Sequence, residues 1–447
     1  MACGKSWRAV QWARRSVHTT ALRRPQHLCD TEPQTIAQVR DQMKSLVGYE
    51  GIFGTQGPRP DRSQLASYLA HSQAELPPRR LFDSYDEAVI PLGRDLEVRE
   101  QYHNAFHRVR FGRLLEDLDT FAVWLAYKHT LLPRNPDPSR SPFGIVTGMV
   151  DRIDIENRQL PTDQDMRLRG LVSYVGQSSA EALVLMEQKK RDGPGWDHIL
   201  EARFVLVARD PVHSKKAILN PLQPDGDEEQ ALYDDGQASY TARKQWAEDS
   251  LFKLPPNPEE SRIIHDKFLQ TVDPKESVFS VRVKPANSVW MEEAVLKNVH
   301  ICHPQNRNIH GKIFGGFLMR NAFELAWSNA WLYGGSRPNV LSVDDIKFKR
   351  PVEIGSLLMM SARLVFTEGA DMQMRVHAEV IDPATRKMET TNTFYFTFRA
   401  SSGAPVRTVL PKSYAEAMLQ LTGRRHYAAS RHHQRLLQAQ EKTVAPH

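Results

Sequence analysis

The feature that most constrains this chain is a pattern that occurs twice. Residues 303–335 read HPQNRNIHGKIFGGFLMRNAFELAWSNAWLYGG: a polar loop, a glycine pair (Gly315-Gly316), then an apolar run from Phe317 to Leu332 without proline or glycine. Leu318, Ala322, Leu325, Asn329 and Leu332 fall at helical spacing, as do Phe317, Met319, Ala322 and Ala326. This spacing predicts a helix buried on most of its circumference. Strand-like runs rich in aromatic and β-branched residues follow, at 340–348, 356–366, 372–380 and 391–398. A buried helix followed by four strands predicts a sheet wrapped around that helix. Glycines at the helix start let a ligand approach unbonded backbone N–H groups, where the helix dipole favours negative charge.

An earlier segment repeats the pattern. Asn104-AFHRVRF-Gly112 matches Asn308-IHGKIFG-Gly316 in the spacing from asparagine to glycine. An apolar helical run over 113–129 follows, then strand-like runs at 144–155, 166–174, 181–188 and 203–207. The chain therefore reads as two copies of one helix-in-sheet unit, an α+β protein with an antiparallel sheet around each central helix. The boundaries expected are 84–209 for the first copy and 288–401 for the second. A helical lead-in occupies 31–83, a helical connector 210–287 and a solvated tail 402–447. Within them, helices are expected at 32–47, 63–75, 238–251 and 259–271, and SYDEAVIPL from Ser84 is an edge-strand candidate. The acidic stretches Asp225–Glu229 and Asp234-Asp235 read as turns. The tail residues Arg424, Arg425, Arg431, His432 and His433 read as a solvated helix end, with phosphate binding the other possibility.

The net charge of +6 is local. Lys5, Arg8, Arg14, Arg15, Arg23 and Arg24 precede Asp30 with no acidic residue among them. The remainder is balanced, so a nucleic-acid reading loses its support. The Arg-, Ser- and Thr-rich stretch 1–30 reads as a mitochondrial transit peptide, which implies the matrix. No window is apolar enough for a membrane span. Cys3 and Cys29 lie in that stretch. Cys302 is thus left alone, without a disulfide partner, and reads as a buried or strand-end thiol rather than as a nucleophile with His303. No metal-binding spacing is present.

The segment HPQNRNIHGKIFGGFLM resembles the helix start of hotdog-fold acyl-CoA thioesterases, and two such units resemble the double-hotdog members. The phrases RFGRLLEDLDTF, VDRIDI, GGSRP, VDDIKFKRPVEIGSLL and TTNTFYFTF are similar, in order, to mitochondrial members of that family over about Pro77 to Tyr414. The resemblance implies hydrolysis of acyl-CoA to free fatty acid and CoA, with no cofactor or metal. It implies a site built across two units: a carboxylate from one helix, and the glycine-bearing start of the other. In the family the acid often lies seven residues after the second glycine. That position is Asp119 after Gly112, but Phe323 after Gly316, with Glu324 one step late. Unit one thus has the placed acid with a degraded glycine turn, Arg110-Phe111-Gly112. Unit two has the intact turn with a displaced acid. One dominant site per chain is expected.

In it Asp119 acts as general base or as nucleophile forming an anhydride, and N–H groups near Gly315 and Gly316 polarise the carbonyl. Asn308 or His310 orients water or the carbonyl, though Asn308 also suits a loop cap and His310 a satisfied loop histidine. Lys312 stands where relatives often carry asparagine or aspartate. Lys312, Lys347, Lys349 and Arg350 are candidates for the CoA phosphates. Glu116 and Asp117 read as first-turn acids that suit the helix dipole. The exposed sheet edges of such units favour a homo-oligomer. A hydratase or dehydratase would need a histidine–acid pair at His107 or His310; a non-catalytic acyl-CoA-binding or scaffold protein is the remaining class.

Overall fold

The computed structural model describes residues 22, 32–48, 62–155, 160–212, 215–273, 275, 279 and 282–444, with side chains of the last helix described to 431. The stretch 1–30, which reads as a transit peptide, lies outside the described residues, Leu22 apart.

In chain order the elements are β1 (Gln34–Thr35), α1 (Ile36–Val47), β2 (Asp86–Ile90), α2 (Leu96–Tyr102), α3 (Phe111–His129), β3 (Gly144–Ile155), β4 (Met166–Val175), β5 (Ser179–Lys189) and β6 (Trp196–Arg209). Two helices follow, α4 (Gly226–Glu248) and α5 (Pro258–Leu269). Then come β7 (Ser288–Trp290), β8 (Val295–Ile301), α6 (Gly315–Gly334), β9 (Pro338–Phe348), β10 (Leu357–Glu368), β11 (Asp371–Ile381), β12 (Met388–Ala400), β13 (Thr408–Leu410) and α7 (Tyr414–Val444).

One sheet of eleven strands runs β1-β2-β4-β5-β6-β3-β9-β12-β11-β10-β8. Its order reads the same from both ends once β1 is set aside, because two hotdog units meet at the strands that directly follow their central helices. The seam is the antiparallel pair β3–β9, with Met149 opposite Lys347 and Ile153 opposite Val343. Each half wraps one central helix, α3 or α6. Phe121 and Leu125 on α3, and Ala322 and Ala326 on α6, are almost wholly excluded from solvent. Each large apolar side chain so buried contributes roughly 1.5–3 kcal/mol. Glycine stops α6: Gly335 takes a left-handed conformation (φ 67°) and its N–H reaches the Trp331 carbonyl.

The two helices lie against each other in opposite directions, so the start of each meets the second and third turns of the other. Glycine permits this. A Cβ on Gly316 would fall 2.7 Å from the Glu116 Cα and 2.5 Å from the Phe314 ring. A Cβ on Gly112 would lie 2.9 Å from Arg320 Cγ and 3.1 Å from Glu324 Oε1. Glu116 bridges the helices, its carboxylate 2.8 Å from Arg320 Nε and also paired with Arg113. Asp117 is buried and accepts from the Tyr102 hydroxyl (2.6 Å) and Arg40 (3.1 Å), which ties α1 to α3. The sequence alone reads both acids as dipole partners. They lie past the first turn, and burial beside arginine accounts for them instead.

Other departures from expectation have local causes. Residues 63–75 form two short 3₁₀ turns, at 63–68 and 73–75, rather than a helix. No residue of either is buried, so no packed face rewards a longer helix. The acidic stretch after Asp225 is the first half of α4. Its acids face the positive helix end, Glu229 takes Arg80 at 3.1 Å, and Asp235 takes the buried Arg203 at 2.5 Å. Strand β8 went unread and forms one sheet edge. The tail is packed rather than solvated. His426 stacks on Tyr395 at 3.9 Å and bonds Asp344 at 2.9 Å, while Arg425 clasps Glu260 of α5 at 2.6 and 2.8 Å. The side chains of His432 and His433 lie outside the described residues. SYDEAVIPL forms β2, with the two residues of β1 outside it.

Gly316→Ala is expected to cost about 1–3 kcal/mol in chemical denaturation, because backbone must yield. Gly112→Ala should cost less, because the long Arg320 side chain can move. Equal losses would contradict this helix contact.

Candidate active site

The approach loops of the two helices share one construction. Asn308 Oδ1 accepts from the backbone N–H groups of His310 (2.9 Å) and Lys312 (3.1 Å). Asn104 Oδ1 does the same for Phe106 (2.9 Å) and Arg108 (3.1 Å). Each asparagine thus folds a tight loop onto its own side-chain oxygen. The third residue after it has positive φ, His107 at 57° and Gly311 at 71°. His310 fastens the second loop to the first unit: its buried ring sets Nε2 3.1 Å from the Ile145 carbonyl oxygen and 3.5 Å from the Tyr127 hydroxyl. His107 is exposed and its ring meets His103 at 2.9 Å.

Beyond the second loop, α6 begins at Phe314 without a side-chain cap. The N–H groups of its first turn are left without intrahelical partners. Asp119 of α3 faces them. Asp119 is 1 % exposed, and a Cβ on Gly315 would lie 3.0 Å from its Oδ2. Thr147 of β3 donates to Oδ1 at 2.5 Å. Burial pushes the Asp119 carboxyl up to about 6, opposed by hydrogen bonds from Thr147 and the Gly316 N–H and helped by the nearby Glu116 charge. The Phe348 ring of β9 closes the other side, 3.4 Å from the same Cβ position. One carboxylate, one uncapped helix start and one aromatic wall therefore converge, from both units.

The mirror-related place is filled differently. Phe323 stands where symmetry would put a second Asp119, and Phe111 stands where it would put Gly315. Their rings pack 5.0 Å apart, backed by Phe396 and Phe398 at 5.8 Å each. Aromatic carbon occupies the volume that a carboxylate and a glycine leave polar in the first place. Glu324 lies beside Gly112 and is paired with Arg110 at 2.7 Å, both about two-fifths exposed. Asp119 and Glu324 are thus separate features.

Of the basic residues read as CoA contacts, three hold carboxylates of their own unit: Lys312 with Glu353, Lys347 with Asp345 (2.7 Å) and Arg350 with Glu389. Lys349 is exposed at the end of β9. Cys302 is buried just past β8, and burial pushes its thiol up to about 11, a protonated, unreactive form at neutral pH. Thr147 and Phe348 carried no signal in sequence. They belong to strands brought together by the seam, and no spacing within one strand marks them.

The comparisons bear on this geometry. Residues 310–386, from the loop before α6 through β11, match the Thioesterase superfamily. The chain is 44% identical over 398 residues to mouse "Acyl-coenzyme A thioesterase 9, mitochondrial", covering 89% of each chain. It belongs to the acyl-coenzyme A thioesterase family. A plant acyl-coenzyme A thioesterase, the chloroplastic type 2 protein of Humulus lupulus, is 34% identical over 364 residues, covering 78% of this chain and 81% of that one. Among solved structures, an acyl-CoA hydrolase from Staphylococcus aureus in complex with butyryl coenzyme A is 24% identical, with a TM-score of 0.33, covering 36% of this chain and 99% of that chain.

For a thioesterase with this helix start, Gly315→Ala should push the new methyl against Asp119 and Phe348. Turnover of acyl-CoA, read as CoA release, should fall at least about tenfold, while less stability is lost than in Gly316→Ala. Wild-type turnover in Gly315→Ala would mean that the space beside Asp119 is not used.

Proposed function

We propose that this thioesterase hydrolyses acyl-CoA at a single composite site, with Asp119 of unit one and the α6 start of unit two acting together. The observation that carries the reading is the contact of the Asp119 carboxylate with the Gly315-Gly316 turn, against the Phe111–Phe323 pair at the mirror place. In the proposed step, Asp119 takes a proton from water as the water oxygen bonds to the thioester carbon. The carbonyl oxygen, gaining charge, accepts from the backbone N–H of Gly315, and from that of Gly316 as this group leaves the Asp119 carboxylate. Collapse breaks the carbon–sulfur bond, the proton passes to the CoA thiolate, and the acid leaves.

The raised Asp119 carboxyl supports the proton-acceptor role over the anhydride route, since a base works best with a pKa near the operating pH. Thr147 holds one carboxylate oxygen and so aims the other. Asn308 and His310 act as positioning residues, setting the loop that delivers the glycine turn. Lys349 is the basic candidate best placed to meet the CoA phosphates, its side chain making no ion pair among the described residues.

The mitochondrial names of the mouse and human relatives, with the basic first thirty residues, support placement in the mitochondrion. The β8 edge, with Val299 and Ile301 each 57 % exposed, supports self-association.

The test is CoA release from short-, medium- and long-chain acyl-CoAs. Asp119→Asn is expected to lose about 100-fold or more, whereas Glu324→Gln keeps most activity. Equal losses would overturn the single-site reading. The wild-type kcat/KM should rise with pH through about 6 and level off above it, because only the deprotonated carboxylate accepts a proton. An acid limb near 4, or one that survives in Asp119→Asn, would assign the base elsewhere.

A further inference from the structure

Asn392 of β12 is a buried amide without a hydrogen-bond partner. It is 0 % exposed, and both its Oδ1 and its Nδ2 are buried and unpaired among the described residues. Its direction follows from the strand. Phe396 and Phe398 meet Phe323 of α6, whereas Tyr395 stacks on His426 of α7. From Asn392 to Phe398, past the irregularity at Thr391, even-numbered positions of β12 therefore face the central helix and odd ones the outer layer. Asn392 faces inward, on the face that α6 covers. The other residues of that row, Phe394, Phe396 and Phe398, are apolar and fully buried.

Its neighbours connect it to the reacting centre. Across the sheet Asn392 stands directly opposite Phe348 on one side and opposite Ala378 on the other. Phe348 is the wall that touches the Gly315 position, which in turn touches Asp119. Directly opposed side chains lie about 4.5–5.5 Å apart, so the amide sits roughly one side-chain width beyond the aromatic wall. Ala378 leaves little bulk on the far side. An amide supplies a donor and an acceptor together, and a hydroxyl both donates and accepts. Burying such a group unpaired is unfavourable, and a plain alkyl chain would satisfy neither atom.

Resting on the composite-site reading above, we propose that Asn392 is a selectivity residue for acyl chains bearing a hydroxyl or oxo group close to the thioester. The acyl group passes Phe348 and presents that oxygen to the amide: Nδ2 donates to it, and a hydroxyl proton returns to Oδ1. The pantetheine arm and nucleotide of CoA stay on the thioester side of Phe348. The favoured substrates are then short oxygenated acyl-CoAs such as 3-hydroxyacyl-CoAs. Saturated chains of equal length leave both amide atoms unpaired and gain nothing from them.

The experiment measures kcat/KM for matched pairs, 3-hydroxybutyryl-CoA with butyryl-CoA and 3-hydroxyhexanoyl-CoA with hexanoyl-CoA. It uses the full chain, Asn392→Leu and Asn392→Ala, with Asp119→Asn beside them. Wild type should favour the hydroxylated member of each pair, and that ratio should fall at least about tenfold in Asn392→Leu. Removal of an unpaired buried amide should not lower the melting temperature, and Asn392→Ala gives a second reading with less bulk. A ratio unchanged in both variants overturns the proposal. So does an equal loss on both members of a pair, which would place the amide on the shared CoA portion or in the packing alone. The underlying hydrolysis reading fails separately, if Asp119→Asn turns over butyryl-CoA as wild type does. The same pairs are then compared by calorimetric affinity in wild type and Asn392→Leu, with the same ratio deciding the role of Asn392.

Discussion

The antiparallel contact between α3 and α6 is the constraint on which the rest of the structure depends. Two helices can approach this closely only where one side is bare backbone, and Gly112, Gly315 and Gly316 supply it. The approach brings Asp119 to an uncapped helix start and sets Glu116 against Arg320. Glu116 and Arg320 are equivalent positions, each four residues after its glycine. In two identical units the same contact would join like residues. The fused chain has made one acidic and the other basic, so the pairing of its halves is held by complementary charge.

The same divergence is what the proposal of one site rather than two rests on. A carboxylate buried beside glycine is costly, as the Asp119 carboxyl pushed up to about 6 shows. At the mirror place that cost is absent, because Phe111 and Phe323 fill the volume with aromatic carbon. The half-exposed Arg110–Glu324 pair contributes at most about 1 kcal/mol. The buried carboxylate lies where an uncapped helix start faces it, and aromatic packing fills the mirror place.

Much of this was legible in the sequence, because it rests on local periodicity and short spacing. The repeated Asn-to-Gly interval exposed the duplication, and the bounds of β3 fell where apolar alternation put them. The interval of seven residues that the family resemblance implies, counted from each glycine, separated Asp119 from Phe323. What escaped depends on contacts between distant segments. Thr147, Phe348 and Asn392 share a neighbourhood only because β3, β9 and β12 are adjacent, and nothing within any one strand marks them. Asp117 looked like a dipole partner until Arg40 and Tyr102 were beside it. The tail looked solvated because the partners of Arg425, Glu260 and the Asp249 carbonyl, are far away in the connector.

The most direct test of the account is a crystal structure of the protein with an unreactive thioether or ketone analogue of butyryl-CoA. The account predicts the carbonyl oxygen, or the atom in its place, toward the N–H groups of Gly315 and Gly316. The carbon under attack should lie within about 3–3.5 Å of the Asp119 carboxylate or of a water it holds. An analogue seated instead beside Gly112 and Glu324, with the Asp119 pocket closed, would contradict it.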